Sequence, residues 1–195
     1  MSRTLKVVVV IIVLGAIAVL TRHLINGSNT TTTTTSTTST TSPTSTTLAG
    51  NTCKASDFSG AFDQGQGAAG TINAGITLTK TTTGTCTLKG WPTLTLQDRL
   101  GGLITTNVVD VPSNGKSFQF PSTKANAAPT TLTLAQNGTT NFSFAYSDVQ
   151  TGTTACASAV TVSVQFVAQG PTVTVTAPSP VQPCNNGQIW VSPFY

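Results

Sequence analysis

Four cysteines, Cys53, Cys86, Cys156 and Cys184, carry the richest chemistry in this 195-residue sequence, and their spacing restricts what they do. A structural zinc site draws on close pairs such as C-x-x-C, usually with histidine. No two of these cysteines are close in sequence, and the single histidine, His23, lies well upstream. An even number of thiols predicts disulfides instead, with three connectivities open. Disulfides place this part of the chain in an oxidising compartment and leave no thiolate to act as a nucleophile.

Other catalytic chemistries lack their partners. Serines are plentiful, but no glutamate occurs anywhere and no histidine follows His23 to serve as a general base. The carboxylates that could pair are Asp57 with Asp63, and Asp98 with Asp110. At loop and strand ends such residues are expected as turn formers or surface charges, and no D-x-D-x-D run suggests calcium. Gly65-Gln66-Gly67-Ala68-Ala69-Gly70 satisfies G-x-G-x-x-G. A dinucleotide site, however, needs a parallel strand before it, a helix after it, and an acid about twenty residues on. Here Thr71-Ile72 continue as strand and no acid lies near position 90, so a flexible β-turn loop is expected. The expectation is a non-enzymatic chain with no metal and no cofactor. Trp91 and Trp190 are the remaining candidates. They could stack on a sugar or anchor a protein partner, but are expected to fill the core, Trp91 near Cys86.

The net charge of +4 could suggest nucleic acid, but its distribution does not. Arg3, Lys6 and Arg22 flank the first apolar run. From Asn51 onward, Lys54, Lys80, Lys89, Arg99, Lys116 and Lys124 face five aspartates, leaving +1 with no basic stripe. A nucleic-acid partner is not expected.

Period-two alternation must position these residues. Phe142, Phe144 and Tyr146 share one side of a strand; Val160, Val162, Val164 and Phe166 share one side of another. Val173 and Val175, Leu132 and Leu134, and Leu94 and Leu96 alternate with threonines. Adding Phe58–Phe62, Ile72–Leu78, Leu103–Val109 and Ile189–Val191 gives about nine short strands divided by Gly, Pro and Asn turns. One apolar face per strand predicts an all-β domain over 51–195, an antiparallel β-sandwich.

Several motifs recur together. Gly67-Ala68-Ala69-Gly70 is followed by Cys86-Thr87-Leu88-Lys89-Gly90-Trp91-Pro92 and Leu94-Thr95-Leu96-Gln97-Asp98. Later come Phe144-Ala145-Tyr146-Ser147-Asp148-Val149 with Cys156, then Pro183-Cys184 and Val191-Ser192-Pro193-Phe194. From Thr52 to Tyr195 the set resembles a domain-of-unknown-function family common in exported actinobacterial proteins. That resemblance implies an immunoglobulin-like sandwich, disulfides paired Cys53–Cys86 and Cys156–Cys184, and no established activity. Lys80 departs from the asparagine the pattern would carry, and the cysteine of a lipid anchor is missing.

Val7 to Leu20 is an unbroken apolar or small run behind Arg3 and Lys6. A signal peptide cut near Ala18, after Ala16-Ile17-Ala18, is one reading. The preferred one is an uncleaved signal-anchor over 1–26: from Leu5 to Ile25 a helix rises roughly 31 Å at ~1.5 Å per residue, enough for the hydrocarbon core. The positive-inside bias puts the N-terminus in the cytoplasm and the remainder outside. Thr30 to Thr47 holds only Thr, Ser and Pro43, so 27–50 is expected as a disordered linker. The combination predicts a single-pass, membrane-tethered envelope protein whose outer domain binds a cell-wall or envelope component. The alternatives are a structural stalk head without a ligand and, after cleavage, a secreted protein.

Overall fold

A computed structural model describes residues 51–195. The apolar segment expected over 1–26, its membrane topology, and the Thr-rich linker expected over 27–50 lie outside the described residues.

Eleven strands form within 51–195. In chain order they are β1 (Phe58–Ala68), β2 (Thr71–Lys80), β3 (Cys86–Leu88), β4 (Thr93–Gln97), β5 (Leu103–Ile104), β6 (Asn107–Asp110), β7 (Leu132–Leu134), β8 (Thr139–Ser147), β9 (Ala159–Gln165), β10 (Thr172–Val181) and β11 (Gln188–Val191). They build a five-stranded sheet in the order β1-β2-β8-β11-β6, a four-stranded sheet β10-β9-β4-β5, and a short ribbon β3-β7. The domain is all-β and sandwich-like, as the alternation predicts.

The apolar face of each strand turns inward. Ile76, Leu78, Phe142 and Phe144 of the larger sheet meet Leu94, Leu96, Val162, Val164, Val173 and Val175 of the smaller in one core. Removing such side chains from water stabilises the fold by roughly 1.5–3 kcal/mol each. Phe194 joins them from the C-terminal segment, edge-on to Phe142 at 5.9 Å and to Phe166 at 5.3 Å between ring centroids.

Two disulfides close as the resemblance implies. Cys53–Cys86 ties the segment before β1 to β3, with Cα atoms 4.9 Å apart. Cys156–Cys184 ties the β8–β9 loop to the β10–β11 loop, at 4.4 Å. The strand directions put these bridges at opposite ends of the sandwich. The chain enters at the first end, where Cys53 N–H donates to Thr87 O and Thr87 N–H to Asn51 O, both at 2.9 Å. The second bridge lies at the far end, beyond the last residues of β8 and β10.

The structure corrects three expectations about the strands and turns. The sandwich is not wholly antiparallel, because β11 inserts between β8 and β6 and runs parallel to β6, from Gln188↔Asn107 to Val191↔Asp110. The single strand expected over Leu103–Val109 is two, β5 and β6, in different sheets. The β-branched link Thr105-Thr106 carries no Gly or Pro to mark the break, which concealed the crossing. Finally, the Gly65–Gly70 stretch is not a flexible loop. Gly65 to Ala68 belong to β1, and only Ala69 and Gly70 turn, both at positive φ, as a two-residue hairpin requires. A side chain at Gly70 would be strained by its positive φ, and its Cβ would force Val149 Cγ2 to move.

Trp190 does not lie in the inter-sheet core. Ala145, Trp190 and Val109 are cross-strand neighbours on the outer face of the larger sheet. The chain after β6 folds back over that face and forms a second cluster with Phe118, Phe120 and Ala125. Trp190 stacks on Phe118 at 4.9 Å and 18°. Asn126 holds the cover in shape: Phe120 N–H donates to its Oδ1 at 2.8 Å, and its Nδ2 donates to Phe120 O at 2.9 Å.

Candidate functional site

At the far half of the sandwich, both edge strands that face each other across it are irregular. Between the pairs Asp63↔Gly75 and Gln66↔Asn73, β1 advances three residues while β2 advances two. Between Thr176↔Thr161 and Val181↔Ala159, β10 advances five while β9 advances two. The cause in β10 is local. Pro178 and Pro180 have no N–H to donate to a ladder, so the strand bulges out around Pro178-Ser179-Pro180. Bulges collect beside functional sites, where they re-aim side chains and interrupt pairing.

The two bulges open a cleft of roughly 430 Å³ between the sheets. Phe62, Ile72 and Tyr146 form its apolar floor, and Pro178 and Pro180 one wall; Gln64, Gln182 and Asp148 supply polar groups. Ile72 and Tyr146 are paired neighbours on β2 and β8, which sets them side by side. Tyr146 is only 5% exposed. Burial pushes its phenol above the ordinary tyrosine value; the Gln182 backbone amide pulls the other way, and the Asp148 charge adds to the rise.

Asp148 is held at the rim by the backbone around it. Its N–H donates to Gly70 O at 3.2 Å, Val149 N–H donates to Ser147 Oγ at 3.2 Å, and Cys184 N–H donates to Ser147 O at 2.9 Å. The end of β8, the β1–β2 hairpin and the second disulfide thus support one carboxylate. A second cleft of roughly 460 Å³ opens on the other side of Pro183 and Cys184, beside Leu103, Ile104 and Ala155. Leu100 and Leu103, at 95% and 74% exposure, and the half-exposed Val149 lie at the same end.

The residues singled out from sequence lie elsewhere. Asp57 ends the 3-10 turn just before β1 and Asp63 sits at the bulge of that strand, about 20 Å apart at ~3.3 Å per residue, too far to share a proton. Asp63 accepts a hydrogen bond from Thr77 Oγ1 at 3.1 Å. Asp98 caps the β4–β5 turn, taking Leu100 and Gly102 N–H groups at 2.8 Å each. Asp110 is on β6 in the other sheet, its carboxyl raised by burial and partly offset by the Lys116 charge. Neither aspartate pair is brought together. Among the described residues, no group of three His, Cys, Asp or Glu side chains could hold a metal. Trp91 donates its Nε1 hydrogen to Val111 O at 3.3 Å, and Trp190 lies under the Phe118 cover; neither tryptophan lines the cleft. All four cysteines are bridged.

Sequence reasoning missed Tyr146, Asp148 and the Pro178–Pro180 wall as a site. The available signal was Pro-x-Pro interrupting a Val173/Val175 alternation, which marks an edge strand with a bulge. Lys80 is a further surprise. It is 2% exposed with no carboxylate partner, and its ammonium donates to Thr82 O (2.6 Å), Thr82 Oγ1 (2.8 Å) and Thr83 O (3.1 Å). A lysine at that position shapes the turn before Cys86 by satisfying all three of its donors locally.

No curated protein and no solved structure matches the chain. A family model does, across residues 53–195, which is most of the sequence and the whole of the sandwich from its first cysteine onward. The chain therefore belongs to the family described as Domain of unknown function (DUF4232).

Proposed function

We propose that this chain is a membrane-tethered, extracytoplasmic envelope protein whose β-domain is a non-enzymatic binding module. The observation that carries the proposal is the cleft floored by Tyr146, framed by facing bulges at the end of the domain away from Asn51. A ligand bound there would sit toward the end of the domain opposite Asn51. Asn51 and Gln64 are separated by most of β1, and Gln64 lies about 20 Å beyond Phe58 at ~3.3 Å per residue. The two disulfides suit an oxidising compartment outside the cytoplasm. Beside its one carboxylate the cleft has the Ser179 and Tyr146 hydroxyls but no histidine, lysine or cysteine to activate them, which favours recognition over turnover.

The same reading assigns the domain to the immunoglobulin-like sandwiches of exported actinobacterial proteins. The support is the pair of sheets with five and four strands and the ordered Cys86–Pro92 and Val191–Phe194 motifs. It also assigns residues 1–26 to a signal-anchor.

The test is retention of the full chain on isolated cell wall, compared with an unrelated sandwich domain carrying the same anchor. Retention that drops at least fivefold in an Asp148→Asn, Tyr146→Phe double variant is expected. Retention no greater than that of the control would sink the binding reading. Recovery of an intact mass beginning at Met1 in the membrane fraction would support the anchor; a mass beginning after Ala18 would replace it with secretion.

A further inference from the structure

We infer that the cleft at Tyr146 and Asp148 takes a primary ammonium on an aliphatic stem. This inference deepens the binding reading above and rests on it. Among the described residues, Asp148 is the only charged side chain lining the cleft, so an anionic ligand would meet like charge and no counter-charge there. A neutral sugar would need an open aromatic face to stack on, but Tyr146 is 5% exposed and Phe62 is partly buried and edge-on to Phe144. A lone carboxylate is also too few donors for a calcium ion, which takes six to eight oxygens.

An alkylammonium fits what remains. Its methylene stem would lie along Phe62, Ile72 and the Pro178–Pro180 wall, while its charged head reaches the rim. There Asp148 supplies the counter-charge, and the Gln64 and Gln182 side-chain carbonyls supply further acceptors for an ammonium's three donors. Because Asp148 is exposed at the rim, the pair is screened and the affinity for an isolated group is expected near the millimolar range. Several such groups on one polymer would bind more tightly through avidity. The ammonium could belong to a lysine side chain of a protein or to the free amine of a wall peptide; the recognition chemistry is shared.

The test uses the full chain in detergent micelles, with backbone amide shifts of Ile72, Asp148 and Gln182 as the readout. The probe is N-acetyl-lysine methylamide, and its neutral counterpart is N-acetyl-norleucine methylamide. The lysine probe is expected to shift these amides, with binding about tenfold weaker to Asp148→Asn. The norleucine probe should need at least tenfold higher concentration. Equal binding of the two probes, or an unchanged response in Asp148→Asn, overturns the inference. A parallel arm identifies the source: isolated wall, intact or amine-acetylated, and a lysine-containing peptide are compared as competitors of the probe. Competition by intact but not acetylated wall supports a wall amine; competition by the peptide alone supports a protein lysine. Wall retention that survives acetylation overturns a wall amine as the source while leaving the binding module standing. Absence of any wall retention fails the earlier proposal, whereas the probe titration still decides this one.

Discussion

Tyr146 is the residue through which the cleft can be observed spectroscopically, because the sequence has only one other tyrosine, Tyr195. The Tyr195 hydroxyl pairs with Ser143 Oγ at 2.8 Å, so Tyr195→Phe removes one hydrogen bond, about 1 kcal/mol, and leaves a single phenol to titrate. In that background, absorbance near 295 nm should report Tyr146 ionising above the ordinary value near 10. Adding Asp148→Asn should lower the midpoint without restoring the ordinary value, since burial is the larger cause. A midpoint indifferent to Asp148 would mean that the carboxylate does not face the phenol. The stability consequence has a fixed sign. The folded state holds the phenolic proton more tightly, so this contribution is complete below pH ~10 and is lost as pH rises through the folded value.

Among the elements, the two bridges and the two bulges are unlike in how visible they were. The four cysteines announced disulfides, but not their pairing, which came from the ordered motifs around Cys86 and Cys184. The alternating runs announced strands β1, β2, β4 and β7 to β10, because half-buried strands expose every second residue. What stayed hidden was non-local: no local pattern tells that Leu103-Ile104 and Asn107–Asp110 pair with different sheets, or that β11 meets a parallel neighbour. The cleft was hidden for the same reason. Its floor comes from β1, β2 and β8 and its wall from β10, and only register brings Asp148 beside Pro180. Tryptophan was the wrong guide, since Trp190 is taken up by the Phe118 cover. Replacing either cysteine pair with alanine should destabilise the domain by about 2–5 kcal/mol, measured by urea unfolding. Loss of Cys156–Cys184 should also abolish the probe response, because it releases the Cys184 amide that fixes Ser147. Removal of Cys53–Cys86, at the opposite end, should leave the response of the folded fraction intact. Equal effects on the probe would contradict the division of the sandwich into two ends.

At the scale of the whole molecule, the C-terminal segment closes the fold. Ser192 N–H donates to Ser143 O, Ser143 N–H to Ser192 Oγ, and Tyr195 and Asn141 exchange two backbone hydrogen bonds, all between 2.8 and 2.9 Å. Phe194, 2% exposed, sits among Phe142 and Phe166. Deleting residues 192–195 forfeits a buried aromatic, about 3–5 kcal/mol, and several hydrogen bonds of about 1 kcal/mol each. That is comparable with the entire stability of a small domain, about 5–15 kcal/mol. The truncated chain should show no cooperative urea transition; a midpoint close to the parent's would refute this account of the core.

The position of β11 also sets an order of events in time. It is the last strand in sequence, yet it lies inside the larger sheet, between β8 and β6. As the polypeptide emerges from the ribosome, β6 has no partner until residues 188–191 arrive, and the core lacks Phe194 until later still. Stable folding therefore waits for nearly the whole domain to be synthesised, and the nascent chain stays threadable meanwhile. On the exported topology proposed above, that delay would keep the passenger slender until it is across, with residues 188–195 as the latch that shuts behind it.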